Sequence, residues 1–118
     1  MDVDSPLFSI VVPTFNREDH IGRCLGSIVH QSFHNHEVVI VDNASIDGTV
    51  EVALDFGGRL DITVLVNDSN RERSYSRNRG AEYARGRFVV FLDSDDELRP
   101  DSLELAAAFV ETDPRHRF

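Results

Sequence analysis

The chain has 118 residues, 41% of them hydrophobic, with a single cysteine and a net charge of −9 from 12 basic and 21 acidic side chains. That length and composition predict one domain over residues 1–118 with a real core, and they exclude a disordered chain and a disulfide-stapled scaffold. The charge argues against nucleic acid as a partner, which calls for a basic field. Apolar runs such as Ile10–Val12 and Phe88–Leu92 fall far short of the about 20 residues of a membrane helix.

In chain order, Phe8–Pro13 is a short β-branched run that reads as a strand, and Glu18–Gln31 carries Ile21, Leu25, Ile28 and Val29 at helical spacing. Glu37–Asp42 is a second strand and Gly48–Phe56 a second helix, with Val50, Ala53 and Leu54 apolar. Ile62–Val66 is a third strand, followed by a helix over Ser76–Arg85 with Gly80, Ala81 and Ala84 on its inner side. Arg87–Asp93 is a fourth strand. Pro100-Asp-Ser102 opens a last helix with Leu103, Ala106, Ala107 and Val110 inward, a first turn being where proline's missing N–H costs nothing. Strands that alternate with helices, and that are continuously apolar, predict an α/β fold. It is a three-layer, Rossmann-like open sheet of four mainly parallel strands covered on both faces.

In such a sheet ligands bind outside the carboxyl ends of the strands. The residues there are Pro13, Thr14, Phe15 and Asn16; Asp42, Asn43, Ala44, Ser45 and Asp47; Asn67, Asp68 and Ser69; and Asp93, Ser94, Asp95 and Asp96. Carboxylates crowded together repel unless a cation sits among them, and oxygen ligands suit Mg2+ or Mn2+, which commonly bridge to substrate phosphates. Asp93-Ser-Asp-Asp96 is therefore either a metal site for a phosphorylated ligand or a solvated acidic loop that caps the helix after Pro100. Asp42 is placed to reach a ribose hydroxyl or a base edge, whereas Asp47-Gly-Thr49 also suits a turn and helix cap.

All twelve basic residues are Arg, six of them between Arg71 and Arg87. Usage bias is the simpler cause, although the guanidinium fork also suits carboxylate or phosphate. Without Lys there is no P-loop and no Schiff-base lysine, and no G-x-G-x-x-G or G-x-S-x-G is present. His30, His34 and His36 read as loop residues rather than zinc ligands, and Cys24 as core rather than nucleophile. The acidic Met1-Asp-Val-Asp4 start predicts no signal peptide. The expected location is cytoplasmic, with membrane association left open for a full-length protein.

Ser9–Arg17, Val41–Thr49, Ser76-Arg-Asn-Arg-Gly80 and Phe91–Glu97, in this order and spacing, resemble the N-terminal half of glycosyltransferase family 2. The match covers nearly the whole chain. The resemblance implies a GT-A fold, a nucleotide-diphospho-sugar donor and inversion at the sugar by direct displacement. By it, Pro13, Thr14 and Asn16 line the nucleoside pocket, Asp42 and Asn43 contact the base or ribose, and Arg77 and Asn78 border the donor site. Asp93 and Asp95 form the D-x-D pair; Asp95 is the direct metal ligand and Asp93 lies nearer the ribose or a metal-bound water. Two departures stand out. Asn43 replaces an Asp of many members, and the bulky Asn70–Ser74 segment stands where members often have a Gly-containing loop.

The family's acceptor site and general base belong to a later segment, so the expectation is a truncated donor-binding half, inactive in transfer, whose base lies beyond Phe118. Two other readings are a non-catalytic nucleotide or nucleotide-sugar module acting with a partner, and a receiver-like domain, which the lack of Lys disfavours. Because the resembled sheet continues past the fourth strand, that strand is expected to be an exposed edge, prone to self-association. Arg85, Arg87 and the tail to Phe118 are the features that blunt it.

Overall fold

The computed structural model describes residues 5–112. The elements are β1 (Phe8–Thr14), α1 (Ile21–Val29), β2 (His36–Asp42), α2 (Thr49–Leu54), a 3-10 turn (Asp55–Gly58), β3 (Ile62–Val66), α3 (Arg73–Tyr83), β4 (Phe88–Phe91) and α4 (Ser102–Thr112). The strands form one sheet in the order β3-β2-β1-β4, parallel at every pairing. The chain steps from β1 to β2 to β3 in one direction and then returns to the other side of β1. The topological switch point thus lies between β1 and β4, where open α/β sheets bind ligands.

Alternation along each strand divides the core between two faces. Phe8, Ile10 and Val12 of β1, with Val38 and Ile40 of β2, join Ile21, Cys24, Leu25 and Ile28 of α1, Ala53 of α2, and Leu103 and Ala107 of α4. The opposite face is smaller: Val11, Val39 and Val41, with Leu65 against them. It is covered by α3, which packs on β1 and β2. A Cβ on Gly80 would lie 2.4 Å from Val11 Cγ1 and 3.1 Å from Val41 Cγ2, so α3 rests its backbone directly on the valines. The expected three layers are therefore present.

The boundaries differ from the sequence reading for local reasons. Residues 17–20 form a turn, with the His20 and Ile21 amides both on the Arg17 carbonyl, so α1 starts at Ile21. Leu54 is exposed, and a 3-10 turn replaces the end of the second helix. The third helix starts three residues early, at Arg73, because its opening turn is polar and leaves no apolar signal. Pro100 is not in the first turn of α4: its carbonyl accepts from Ser32 N–H at 2.9 Å, and an Arg99–Ser102 turn precedes the helix. β4 ends at Phe91, with one further bond from Leu92 N–H to the Val11 carbonyl.

β4 is an edge among the described residues. Val89 and Phe91 pair with Ser9 and Val11, so they lie on the α3 face; α3 covers β1 and β2, and both side chains stay exposed. The tail from residue 113 on, including Phe118, lies outside the described residues. No helix among the described residues is long and apolar enough to cross a membrane.

A buried carboxylate ties the amino ends of the strands together. Glu37, 1% exposed, accepts from the Ser9 hydroxyl at 2.6 Å, from Arg85 N–H at 2.6 Å and from Arg85 Nε at 3.0 Å. Ser9 Oγ in turn accepts from Gly86 N–H at 2.7 Å, and Arg85 reaches Asp61 at 2.9 Å. Burial pushes the Glu37 carboxyl up, but the bonds from Arg85 and Ser9 outweigh it and hold the group below its ordinary 4.5. A carboxyl depressed in the folded state stabilises fully above its unfolded pKa and stops doing so as pH falls through the folded value. The stability gap between wild type and Glu37→Gln is therefore expected to be widest at neutral pH and to shrink as pH falls below 4.5 and through the depressed folded value. Urea melts across that range test it; a gap independent of pH would contradict the assignment.

Candidate functional site

The register aligns Thr14 with Asp42 and Asp42 with Val66, which brings the strand-end loops to one rim. A cleft of about 230 Å³ opens there, between the ends of β1 and β4. Pro13, Thr14, Phe15 and Arg17 line it from β1, Asn43 from β2, Arg73 and Ser76 from α3, and Asp93, Ser94 and Asp95 from beyond β4. The Thr14 hydroxyl is buried at this wall and has no hydrogen-bond partner among the described residues.

Of the residues singled out from the sequence, Pro13, Thr14, Asn43, Asp93 and Asp95 line the cleft, while Asn16, Asp42, Arg77 and Asn78 stand outside its lining. Asp42 is buried, and its carboxylate accepts from Ser45 N–H at 2.9 Å and Ser45 Oγ at 2.6 Å. Asn16, in the left-handed region at φ 49°, accepts from Ile46 N–H at 2.9 Å, and its own N–H donates to Ser45 Oγ at 2.8 Å. Arg17 N–H donates to Thr49 Oγ1, and Gly48 N–H to Glu18 Oε1, each at 2.9 Å. The two loops are thus stitched to each other, and Asp42 and Asn16 shape the wall from behind. Asp47 accepts from Thr49 N–H at 3.0 Å, so the turn reading of Asp47–Thr49 holds. Asn78 is exposed, two positions from Ser76, which faces the sheet.

Asn43 explains the bulky Asn70–Ser74 segment. Its Oδ1 accepts from Arg71 N–H at 2.8 Å and its Nδ2 donates to the Arg71 carbonyl at 2.7 Å. An amide offers both functions; a carboxylate cannot donate to that carbonyl. Asn67 completes the node: Nδ2 donates to Asn43 at 2.9 Å and to Ser76 at 3.0 Å, and Oδ1 accepts from Arg79 at 2.8 Å. Sequence reasoning placed Asn67 on the rim without giving it a role; its signal was a polar amide ending an apolar strand.

Asp93, Asp95 and Asp96 bring carboxylate oxygens within 4.8 Å of one another, adding Asp96 to the pair read from sequence. The donors are all hard oxygens, a set that fits a divalent cation of the Mg2+ or Mn2+ kind. Arg77 stands 3.9 Å from Asp93 and passes over the Phe91 ring. In the first turn of the last helix, the Leu103 amide goes to Gln31 Oε1 at 3.0 Å and not to the acidic loop.

Cys24 is buried, and its thiol is pushed up to about 12 by burial and then by the carboxylates of Asp96, Asp95, Glu97 and Asp93, which fits a core residue rather than a nucleophile. No histidine joins the carboxylate group among the described residues. His30 bonds the Gly26 carbonyl, but His36 is the first residue of β2 rather than a loop residue.

Ala44, in the turn closed by Asp42, has φ 64°, a left-handed conformation that costs an L-residue about 1–2 kcal/mol. Ala44→Gly relieves that strain against a smaller loss of unfolded-state restriction and is expected to stabilise the protein by about 0.5–1 kcal/mol. Chemical denaturation measures it; destabilisation would contradict the strain.

The model of the glycosyl transferase family 2 matches residues 9–116. The chain is 34% identical over 113 residues to EpsH of Bacillus subtilis (strain 168), covering 94% of this chain and 33% of EpsH. The crystal structure of Staphylococcus aureus TarS 1–349 in complex with UDP-GlcNAc superposes with a TM-score of 0.84 at 35% identity, over 89% of this chain and 31% of that one. The mannosyltransferase PcManGT from Pyrobaculum calidifontis, in complex with GDP-Man and Mn2+, superposes with a TM-score of 0.85 at 29% identity, over 93% of this chain and 33% of that one. The chain thus spans about a third of the length of these relatives. It belongs to glycosyl transferase family 2.

Proposed function

We propose that the chain is the donor-binding part of an inverting glycosyltransferase, which takes a nucleotide-diphospho-sugar with Mn2+ or Mg2+ at Asp93 and Asp95, assisted by Asp96. The observation that carries the reading is the convergence of three carboxylates at the mouth of the switch-point cleft. The nucleotide-sugars held by the two structural neighbours, one of them with Mn2+, support it. A bound divalent cation supplies the charge neutralisation that a diphosphate leaving group needs.

The chain's own residues do the rest. Pro13, Thr14 and Asn43 form the wall for the nucleoside, and the guanidinium-bearing Arg17 and Arg73 stand at the same cleft to meet the phosphates. Arg77 restrains Asp93 from the side. In the transfer, the acceptor oxygen bonds to the anomeric carbon as the bond from that carbon to the diphosphate oxygen breaks, and the acceptor proton passes to a base. With Asp93, Asp95 and Asp96 holding the cation and Glu97 not at the position of the family's base, the proposed base belongs to a later segment of a longer protein, and the 118-residue chain is proposed to bind donor without transferring sugar.

Asp95→Asn is expected to weaken Mn2+ and nucleoside diphosphate binding together, by about tenfold or more. Calorimetry with UDP and GDP, with Mn2+ and with chelator, decides it: equal binding of both nucleotides in chelator would sink the metal-dependent reading. The exposed β4 edge, with Val89 and Phe91 beside it, is further proposed to pair with a second copy of the chain. Sedimentation over a wide concentration range is expected to show a dimer growing in, and a sharp monomer throughout would refute that pairing.

A further inference from the structure

Between the end of β4 and the start of α4, residues 92–101 contain neither helix nor strand. This is the segment that carries Asp93, Asp95 and Asp96. It is held by one polar stripe on α1 and the turn after it: Cys24, Ser27 and Gln31, at i, i+3 and i+7 and so on one helical face. The Cys24 thiol donates to the Asp93 carbonyl at 3.7 Å. Ser27 Oγ accepts from Leu98 N–H at 3.0 Å while donating to the Cys24 carbonyl at 2.6 Å. Gln31 Nε2 donates to the Arg99 carbonyl at 2.6 Å and the Ser27 carbonyl at 3.1 Å, and its Oε1 accepts from Leu103 N–H at 3.0 Å.

Gln31 is 1% exposed. A buried amide is costly unless its groups are bonded, and an apolar residue of similar size would fill the same space without that demand. The demand is met by carbonyl and amide groups of the loop and of the first turn of α4, which no sheet or helix satisfies. The stripe therefore fixes the path of the chain on the far side of the carboxylates, while β4 fixes it on the near side.

We propose that Gln31, seconded by Ser27, is a positioning residue for the cation site: it sets the spacing of the Asp93, Asp95 and Asp96 carboxylates without touching the cation. The inference rests on reading those carboxylates as a cation site. Outer partners that orient ligands typically alter metal affinity by about 10–100-fold when removed. Gln31→Leu and Ser27→Ala are thus expected to lower Mn2+ affinity about tenfold or more, read by electron paramagnetic resonance of Mn2+ titrated into the 118-residue chain, and to change the spectrum of the bound ion. Leu60→Ala, in the core on the face of the sheet away from α3 and beside the 3-10 turn, serves as a comparator that lowers the melting temperature without altering Mn2+ affinity.

If Gln31→Leu and Ser27→Ala melt lower yet keep the wild-type affinity and spectrum, the stripe is structural only and the proposal is overturned. Should Gln31→Leu not fold, Ser27→Ala, which gives up a single side-chain partner of the loop, decides alone. Undiminished Mn2+ binding by Asp95→Asn is a separate outcome: it removes the cation site itself, whatever the stripe does.

Discussion

The contact of the Gly80 backbone with Val11 and Val41 sets the height of α3 above the sheet, and the cleft is assembled from what that height brings within reach. α3 is pinned at three points along its length. Near the rim, Ser76 accepts from Asn67 at the end of β3. In the middle, Gly80 leaves no room for a Cβ. Just past its end, Arg85 and Gly86 join the Glu37–Ser9 network at the amino ends of β2 and β1. Lifting the helix would withdraw Ser76 and Arg73 from the cleft and Arg77 from Asp93 at once, so a small apolar contact governs a polar site several residues away.

The acidic side chains divide by what surrounds them. Glu37 is buried and saturated by three donors, and Asp42 is buried and closes a turn with Ser45. Both are structural, and each has its bonding within the chain. Asp93, Asp95 and Asp96 are the contrary case: they are close together and more exposed, with one guanidinium at the edge of ion-pair range. Like charges so placed repel, and a cation among them relieves the repulsion. The same residue type thus builds scaffold in one place and the proposed cation site in another, and burial with local donors draws the line.

The architecture was legible because it depends on local runs. β3 falls on the residues read from sequence, and the apolar continuity of β1 and β2 correctly implied cover on both faces. Helix starts were less legible: α1 is delayed by a turn and α3 begins on polar residues, neither of which leaves an apolar mark. At the rim, the sequence identified the right loops but not the division of labour within them. Asp42, Asn16 and Asn43 all have partners between 3 and 30 residues away, and nothing in residue type distinguishes an amide that faces a ligand from one that latches a neighbouring loop. Gln31 escaped notice for the same reason. Its partners lie about 70 residues further on, and on a helical wheel it is merely a polar residue at the end of an amphipathic helix.

The run of arginines between Arg71 and Arg87 shows how far geometry alters a compositional signal. Read as a string, six guanidiniums suggest an anion-binding surface. In the fold, Arg71 pairs with Asp68 and covers Tyr75, Arg77 faces Asp93, Arg79 holds Asn67, Arg85 bridges Glu37 and Asp61, and Arg87 lies over Phe88. The Arg85 bridge uses separate nitrogens of one planar fork, which a lysine ammonium could not match. Of the run, Arg73 is the member that lines the cleft, joined there by Arg17 from the β1 loop. At the mouth of the cleft, in a chain of net charge −9, Arg17, Arg73 and Arg77 stand against Asp93, Asp95 and Asp96, three guanidiniums to three carboxylates. On the proposed reading, a nucleoside diphosphate brings negative charge that this even balance does not offset, and the clustered carboxylates are the groups able to recruit a cation that would.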